Sequence, residues 1–307
     1  MKVLFISSAK KNNSVSPFVK SQAESIQNKG VEVEFFLIKK KGLFGYIYSI
    51  FELKKAIKKG DFDLFHSHYS LSGFTASLAG CKPLVVSLLG SDVINKKFFR
   101  RMIPFFSKKY NWKKIIVKTN EMKSKLPELD IEVVPNGVDF QRFFPMNKET
   151  ARKKLNWDKS EKIILFNGHK NNYVKNYSLA LEAVSLLPFS VKLVEIMDIK
   201  HFEMNLYFNA ADLLLSTSLW EGSPNVIKEA MATNTIIIST DVGDVSYLFG
   251  SSSNNLITSY DSHEIKNKIV SIYKDKIENN ASRDRLSKLN LEGAMVADKI
   301  INIYTSN

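Results

Sequence analysis

Residues 212–240 read "DLLLSTSLWEGSPNVIKEAMATNTIIIST". The stretch opens on one continuous apolar run and closes on another, with Gly222, Ser223 and Pro224 between them. Apolar runs of this length without alternation are strands covered on both faces, as in a parallel sheet. Parallel neighbours need a crossover, and "NVIKEAMA" is the helix-forming sequence available for it. Val226, Ile227, Ala230 and Met231 recur at helical spacing and form its expected buried face. Ser223 is expected at the N-cap, with Pro224 in the first helical position. The loop then lies at the carboxyl end of a strand, the edge where open parallel sheets bind ligands. First-turn N–H groups have no partner inside a helix and favour a negative group such as a phosphate. Gly222 lets such a ligand approach the backbone. Two acids, Glu221 and Glu229, lie eight positions apart. By helical phase Glu229 falls on the rim of the buried face, where a solvated acid is equally at home.

The same alternation runs along the whole chain. Apolar, β-branched runs appear at "KVLFISS", "VEVEFFLI", "DLFHSH", "PLVVSLLG", "KIIVKT" and "EVVPNG", and then at "KIILFNG", "VKLVEI", "DLLLSTS", "TIIIST" and "NNLITS". Helix-length segments separate them, which argues for βαβ units. About eleven strands exceed one ordinary doubly wound sheet. The expectation is therefore two Rossmann-like, doubly wound α/β domains. The break falls near Pro145, giving domains 1–145 and 146–289. The final "GAMVADKIINIY" reads as a closing helix, about 290–307, packing back on the first.

Composition narrows the function. A chain of 307 residues with 44% apolar residues can build two cores, and 24% charged residues without low-complexity tracts exclude a disordered protein. The start "MKVLFISSAKK" has too short an apolar run for a signal peptide, and no run reaches the ~18 residues of a membrane span. The single Cys81 forms no internal disulfide. These features describe a soluble cytoplasmic protein. Charge is unevenly spread: residues 1–150 hold 26 Lys and Arg against 13 Asp and Glu, and the remainder holds 18 of each. The excess concentrates in "KKKGLFGYIYSIFELKKAIKK" (39–59) and "KKFFRRMIPFFSKKYNWKK" (96–114), both mixed with aromatics. Such a surface suits an anionic membrane, with 96–114 as the main contact and Phe98, Phe99, Phe105 and Phe106 entering the interface. Nucleic acid or a merely solvated basic face fits the same composition.

These residues carry a family resemblance. "EGSPNVIKEAMA" resembles the E-x7-E motif of retaining GT-B glycosyltransferases, in the large nucleotide-sugar-using family 4. Other segments appear in the family's order: "MKVLFISS…SPFVKSQAESIQNKGVEVEFF", "FDLFHSHYSLSGFTASLAG", "VVSLLGSD", "VVPNGVDFQRFFP", "LFNGHKNNYVKNYSLALEA", "STDVGDV" and the closing "NIY". The resemblance implies a GT-B fold, two domains facing across a cleft, with acceptor bound by the N-terminal half and nucleotide-sugar donor, UDP- or GDP-linked, by the other. It implies that Glu229 holds the ribose hydroxyls, that Glu221 contacts the donor sugar with a catalytic part, and that Gly222, Ser223, Pro224 and Asn225 meet sugar and diphosphate. Lys175 matches the lysine that neutralises the diphosphate. Where the family usually has arginine after Gly168, this chain has His169 and Lys170, which can substitute without the bidentate fork. On the acceptor side the resemblance points to His68, also a catalytic candidate, and to Ser16, Gly90, Asp92 and Asn136. Leu89 stands where many relatives carry a histidine, and "NNSVS" replaces the glycines of the first β–α loop. No cofactor or metal is expected, and no nucleic-acid partner; the acceptor is a saccharide, free or lipid-linked, of cell-surface polysaccharide.

Residue chemistry leaves some roles open. His66 and His68 share one strand face and have no third metal ligand nearby in sequence. His68 is either a substrate contact or a buried, hydrogen-bonded histidine. "DFD" (61–63) precedes a strand and reads as a turn. Asn136 and Gly137 read as a turn with Asp139 as a helix cap, and "STDVGDV" can bring Asp241 or Asp244 to the site or use them structurally. A nucleotide-sugar epimerase of the same fold, and a non-enzymatic two-domain binder of anionic ligands or nucleic acid, are the competing functions.

Overall fold

A computed structural model describes residues 1–10, 13–40, 42–197, 199–251, 254–278 and 280–306. Asn12 of "NNSVS", Lys41 of the first basic run and Asn307 of the closing segment lie outside these residues. The chain divides into two compact units, Met1–Gly137 with Gly293–Asn307, and Val138–Glu292.

The first unit begins with β1 (Lys2–Ser8), α1 (Pro17–Gln27), β2 (Glu32–Ile38), α2 (Gly42–Lys59), β3 (Leu64–His68) and α3 (Ser70–Ala79). It continues with β4 (Leu84–Ser87), α4 (Lys97–Tyr110), β5 (Lys114–Val117), α5 (Asn120–Ser124) and β6 (Ile131–Val133). The sheet is parallel, in the order β2-β1-β3-β4-β5-β6. β1 shows why its sequence is continuously apolar. Leu4 and Ile6 enter one core with Leu53, Phe74 and Ile103, while Val3 and Phe5 enter the opposite core with Val19 and Ile26. Alternate side chains thus meet helices on both faces.

The second unit holds α6 (Lys148–Lys154), β7 (Ile163–Phe166), a 3-10 turn at Tyr173–Lys175, α7 (Tyr177–Ser185), β8 (Lys192–Glu195), α8 (Met204–Ala210) and β9 (Leu213–Ser216). Then come α9 (Asn225–Ala232), β10 (Ile237–Thr240), α10 (Val245–Phe249), β11 (Leu256–Thr258), α11 (Ser262–Asp275) and α12 (Ser282–Lys288). Its parallel sheet runs β11-β10-β9-β7-β8. Asparagines at Asn111, Asn156, Asn234 and Asn290, all at positive φ, end α4, α6, α9 and α12, the αL role more often given to glycine. The closing helix α13 (Gly293–Thr305) returns to the first unit, where Val296, Ala297, Ile300 and Tyr304 share a core with α1. All eleven apolar runs read from the sequence are strands.

The units divide at Gly137 rather than near Pro145. Val138 and Phe143 belong to the core of the second unit. Val138 N donates to Leu291 O at 2.9 Å. The Arg283 guanidinium donates to Phe143 O at 2.6 Å and Phe140 O at 3.1 Å, and covers the Phe140 ring at 3.9 Å. "VDFQRFFP" therefore folds as part of the second unit. Asp139 caps no helix there: its Oδ1 accepts the N–H groups of Gln141 and Arg142, closing a turn.

Candidate active site

In the second sheet β7 has β8 on one side and β9 on the other, so chain direction across the sheet reverses between β7 and β9. The carboxyl ends of those two strands form the switch point where ligands bind in doubly wound sheets. Asn167 comes directly after β7, and its Nδ2 donates to Ser216 Oγ at the end of β9 at 2.8 Å. Above them the 3-10 turn delivers Lys175. Gly168, at φ +149°, makes room for it: a Cβ there would lie 2.5 Å from Lys175 Cγ. Lys175 Nζ donates to Glu221 Oε1 at 2.5 Å and to Asn167 Oδ1 at 3.4 Å. Ser218 Oγ donates to the same Glu221 oxygen at 3.0 Å. Both side chains of the ion pair keep 19% of their surface exposed. They are desolvated enough to interact strongly and open enough to meet a ligand.

Backbone contacts hold the two loops together. Leu219 N donates to Val174 O at 2.8 Å, and Thr217 Oγ1 donates to the carbonyls of Lys175 and Asn176 at 2.9 Å each. His169 and Lys170 stay outside this network. His169 Nδ1 accepts the N–H of Asn171 at 3.0 Å, while Lys170 is exposed and gives its N–H to Glu195 at 2.7 Å.

The helix start differs from the expected one. α9 begins at Asn225 with Pro224 in the N-cap position, and no side chain caps it. The Ser223 hydroxyl is engaged elsewhere: it donates to Asp244 Oδ2 at 2.6 Å and accepts from Lys228 Nζ at 3.0 Å. Gly243, at φ +63°, lies against the loop so closely that a Cβ there would fall 2.1 Å from Gly222 O. Asp244 is thus a brace of the loop, while Asp241 Oδ1 accepts the N–H of Ser246 at 3.3 Å.

Glu229 is not a solvated rim acid. Its side chain is 15% exposed, and its Oε1 lies 2.9 Å from His201 Nε2. The other ring nitrogen, Nδ1, lies 3.5 Å from Arg142 Nη1. An arginine can only donate, so this geometry places the His201 proton on Nε2, facing Glu229. His201 precedes α8 in a turn, where no periodicity marks it in the sequence.

In the first unit the strand reversal falls between β1 and β3. His66 and His68 end β3, with ring centroids 4.4 Å apart, and Phe5 packs against His68 at 4.8 Å. His66 is a satisfied core histidine, bonded to Tyr304 Oη at 2.6 Å and Ser87 Oγ at 2.8 Å. His68 is 1% exposed, and neither ring nitrogen has a hydrogen-bond partner among the described residues. Burial, aided by the Lys118 cation, pulls its pKa down to about 3, so the ring is neutral near pH 7. Asp92, fully buried, accepts the N–H groups of Ser70 at 3.0 Å, Leu89 at 3.1 Å and Gly90 at 3.0 Å. It ties the β4–α4 loop to the start of α3. Tyr69, at φ +83°, enters that helix. Ser16 is buried at the start of α1, and Asn136 lines a depression with Gln22 and Gly293.

Two parallel α/β units, one with a basic and acidic pair at its switch point, define the GT-B architecture. Solved structures share it. A sucrose-phosphate synthase from Thermosynechococcus elongatus is 17% identical with a TM-score of 0.80, over 99% of this chain and 98% of that one. Anabaena HepE, in complex with UDP and glucose, is 14% identical with a TM-score of 0.77, over the full length of both. The family described as Glycosyltransferase Family 4 matches residues 10–142, and that described as Glycosyl transferases group 1 matches 192–275. A Bacillus subtilis (strain 168) protein named as the teichuronic acid biosynthesis glycosyltransferase TuaC is 29% identical over 66% of this chain and 60% of its own length. The match thus spans less than two thirds of TuaC. An Escherichia coli UDP-Gal:alpha-D-GlcNAc-diphosphoundecaprenol alpha-1,3-galactosyltransferase is 26% identical over 83% of this chain and 78% of its own. The chain belongs to the family 4, group 1 glycosyltransferases.

Proposed function

We propose that the chain is a retaining glycosyltransferase that moves a hexose from a UDP-sugar to a saccharide on a lipid carrier, in cell-surface polysaccharide synthesis. The observation that carries this is the Lys175–Glu221 pair at the β7/β9 switch point, with the start of α9 beside it. Lys175 neutralises the diphosphate, and first-turn amides of α9 add a positive dipole end. Glu229 accepts hydrogen bonds from the ribose hydroxyls. Glu221, held by Lys175 and Ser218, receives hydroxyls of the sugar. Breaking the bond between sugar C1 and the phosphate oxygen places negative charge on the leaving diphosphate. Lys175 and the amides stabilise that charge more than the ground state. The acceptor oxygen bonds C1 on the same face, and its proton passes to the departing phosphate oxygen, so no protein base is required where Leu89 stands. Uridine is favoured over guanosine because HepE was solved with UDP-glucose and the Escherichia coli relative is named for UDP-Gal.

The carrier reading rests on the first unit's surface. α4 turns Phe98 (69%) and Phe105 (52%) outward, while Phe99 and Phe106 pack into the core, so only half of the expected aromatics can reach a membrane. α2 adds a second stripe, Phe44 (87%), Ile47, Tyr48 and Phe51 (62%), at i, i+3, i+4 and i+7. Lys54, Lys55, Lys58 and Lys59 come after it. Both helices pack beside α3. No helix among the described residues is long and apolar enough to cross a membrane. The protein works as a peripheral enzyme at the inner membrane face.

The deciding experiment is a donor panel of UDP- and GDP-sugars with and without membrane extract. The anomeric configuration of the product is read by NMR. UDP released only when extract is present, with a product of the donor's own configuration, supports the proposal. Conversion of the donor sugar without acceptor indicates an epimerase.

A further inference from the structure

Lys228 is fully buried in the middle of α9, between Ile227 and Glu229. An ammonium there is costly, and an apolar side chain of similar length would fill the same space at no such cost. Its environment explains what the charge does. Lys228 Nζ donates to Ser223 Oγ at 3.0 Å, and Ser223 Oγ donates to Asp244 Oδ2 at 2.6 Å. A hydroxyl has one proton to give, so a cation on one side and a carboxylate on the other fix its orientation completely. The same two segments meet again through their backbones, at Gly243 and Gly222. The loop carrying Glu221 is therefore clamped from beneath at two adjacent residues.

We propose that Lys228 and Asp244 form an internal charge pair that holds the Ser223 hydroxyl, and through it sets the position of the Glu221–Asn225 backbone for the donor's sugar and diphosphate. The pair belongs to the donor site as read above and deepens that reading. Neither residue touches substrate; both are positioning residues. Burial lowers the Lys228 pKa and raises that of Asp244, and their mutual attraction opposes both shifts. Glu229 also lies within electrostatic reach of the ammonium. The one cation thus compensates the brace acid and the neighbouring motif acid together. Removing Lys228 leaves the Asp244 and Glu229 carboxylates without the buried cation between them, and removing Asp244 weakens the compensation of the buried ammonium, so single variants report stability first.

The test separates positioning from stability. Lys228→Met and Asp244→Asn are made singly and together, and Ser223→Ala keeps both charges. Thermal midpoint, hydrogen exchange of the amides in 219–226, UDP binding by calorimetry and donor KM against kcat are measured on each. The single charge variants lose thermal stability, and the double variant regains most of it. The double variant and Ser223→Ala exchange the 219–226 amides roughly tenfold faster than wild type, since the loop loses its clamp. KM for donor rises with them. A double variant with wild-type midpoint, loop exchange and KM would overturn the proposal and make the pair a core filler. If the double variant does not fold, unchanged exchange in Ser223→Ala overturns it equally. If the wild-type protein binds no UDP, the donor-site reading fails, and loop exchange alone decides whether the clamp exists.

Discussion

Glu229 Oε1 and His201 Nε2 lie 2.9 Å apart, a hydrogen bond between the last acid of the motif and a turn residue ahead of α8. The bond fixes the carboxylate before any nucleotide arrives. A carboxylate accepts several hydrogen bonds, so one oxygen held by His201 leaves acceptor capacity for a ribose diol. Glu229→Ala is expected to weaken UDP binding tenfold or more, because hydrogen bonds to a charged group are worth roughly 1.5–3 kcal/mol each. His201→Ala should cost less, since the acid stays and only its orientation is lost. Calorimetric titration checks both. Unchanged affinity in a folded Glu229→Ala protein would detach the acid from the nucleotide.

Lys175 and Glu221 share one contact, so their variants are coupled. Lys175→Ala should lower kcat/KM by roughly 2–4 kcal/mol, as expected for loss of a donor that stabilises developing charge. His169→Ala and Lys170→Ala should cost far less, because their own contacts lead away from the pair. Steady-state kinetics on the three variants decides. A Lys175→Ala enzyme within twofold of wild type would remove Lys175 from the phosphate.

The two buried histidines make stability depend on pH. In the fold His68 titrates near 3 against an ordinary 6.5, and burial also holds His66 well below 6.5. The unfolded chain therefore binds more protons than the native one once pH drops below the unfolded value. The His68 contribution is complete above about 6.5 and is lost as pH falls toward 3, at up to about 1.4 kcal/mol per pH unit, and that of His66 is lost in the same direction. Between pH 6.5 and 5 most carboxylates stay ionised, so the histidines dominate the slope. Thermal midpoints measured across that window should fall with acid, and His68→Leu should flatten the curve. An equally steep curve in that variant would exclude His68 as the cause.

How much of this was legible depends on which interactions write themselves into local pattern. The strands were, because two-sided burial demands an unbroken apolar run, as Val3 to Ile6 do by feeding alternate cores. The family resemblance singled out Glu221, Glu229 and Lys175 as candidates, and the fold brings Lys175 against Glu221. His201 was not: it meets Glu229 across a turn, and nothing periodic precedes it. Lys228 was not either, since a charged residue in a helix reads as solvent-facing, and the contacts that hold it inside, Asp244 among them, are tertiary. Ser223 looked like an N-cap because local chemistry offers serine that role, and the buried pair won the hydroxyl instead. In α4 the phenylalanines came as two adjacent pairs, and helical geometry must place neighbours on different faces. Phe99 and Phe106 went inward on the side of Ile103, which leaves Phe98 and Phe105 outside.

That last division shapes the membrane prediction. Two stripes are available, Phe44 with Phe51 on α2 among lysines, and Phe98 with Phe105 on α4 among lysines and arginines. Aromatics enter the interfacial layer while cations remain at the headgroups. Replacing Lys96, Lys97, Arg100 and Arg101 by Gln removes about four contacts worth ~1 kcal/mol each near an anionic surface. Binding to vesicles containing phosphatidylglycerol should fall steeply, and added salt should do the same to wild type. Phe44→Ser with Phe51→Ser should weaken binding with little change in salt dependence, because it removes apolar burial and leaves charge intact. Donor hydrolysis without acceptor should stay near wild type in both, since neither helix belongs to the unit that carries Lys175 and Glu229. Co-sedimentation with vesicles at low and high salt measures the binding. Wild-type protein that stays in the supernatant at low salt would end the membrane reading and leave the basic face to a soluble anionic acceptor.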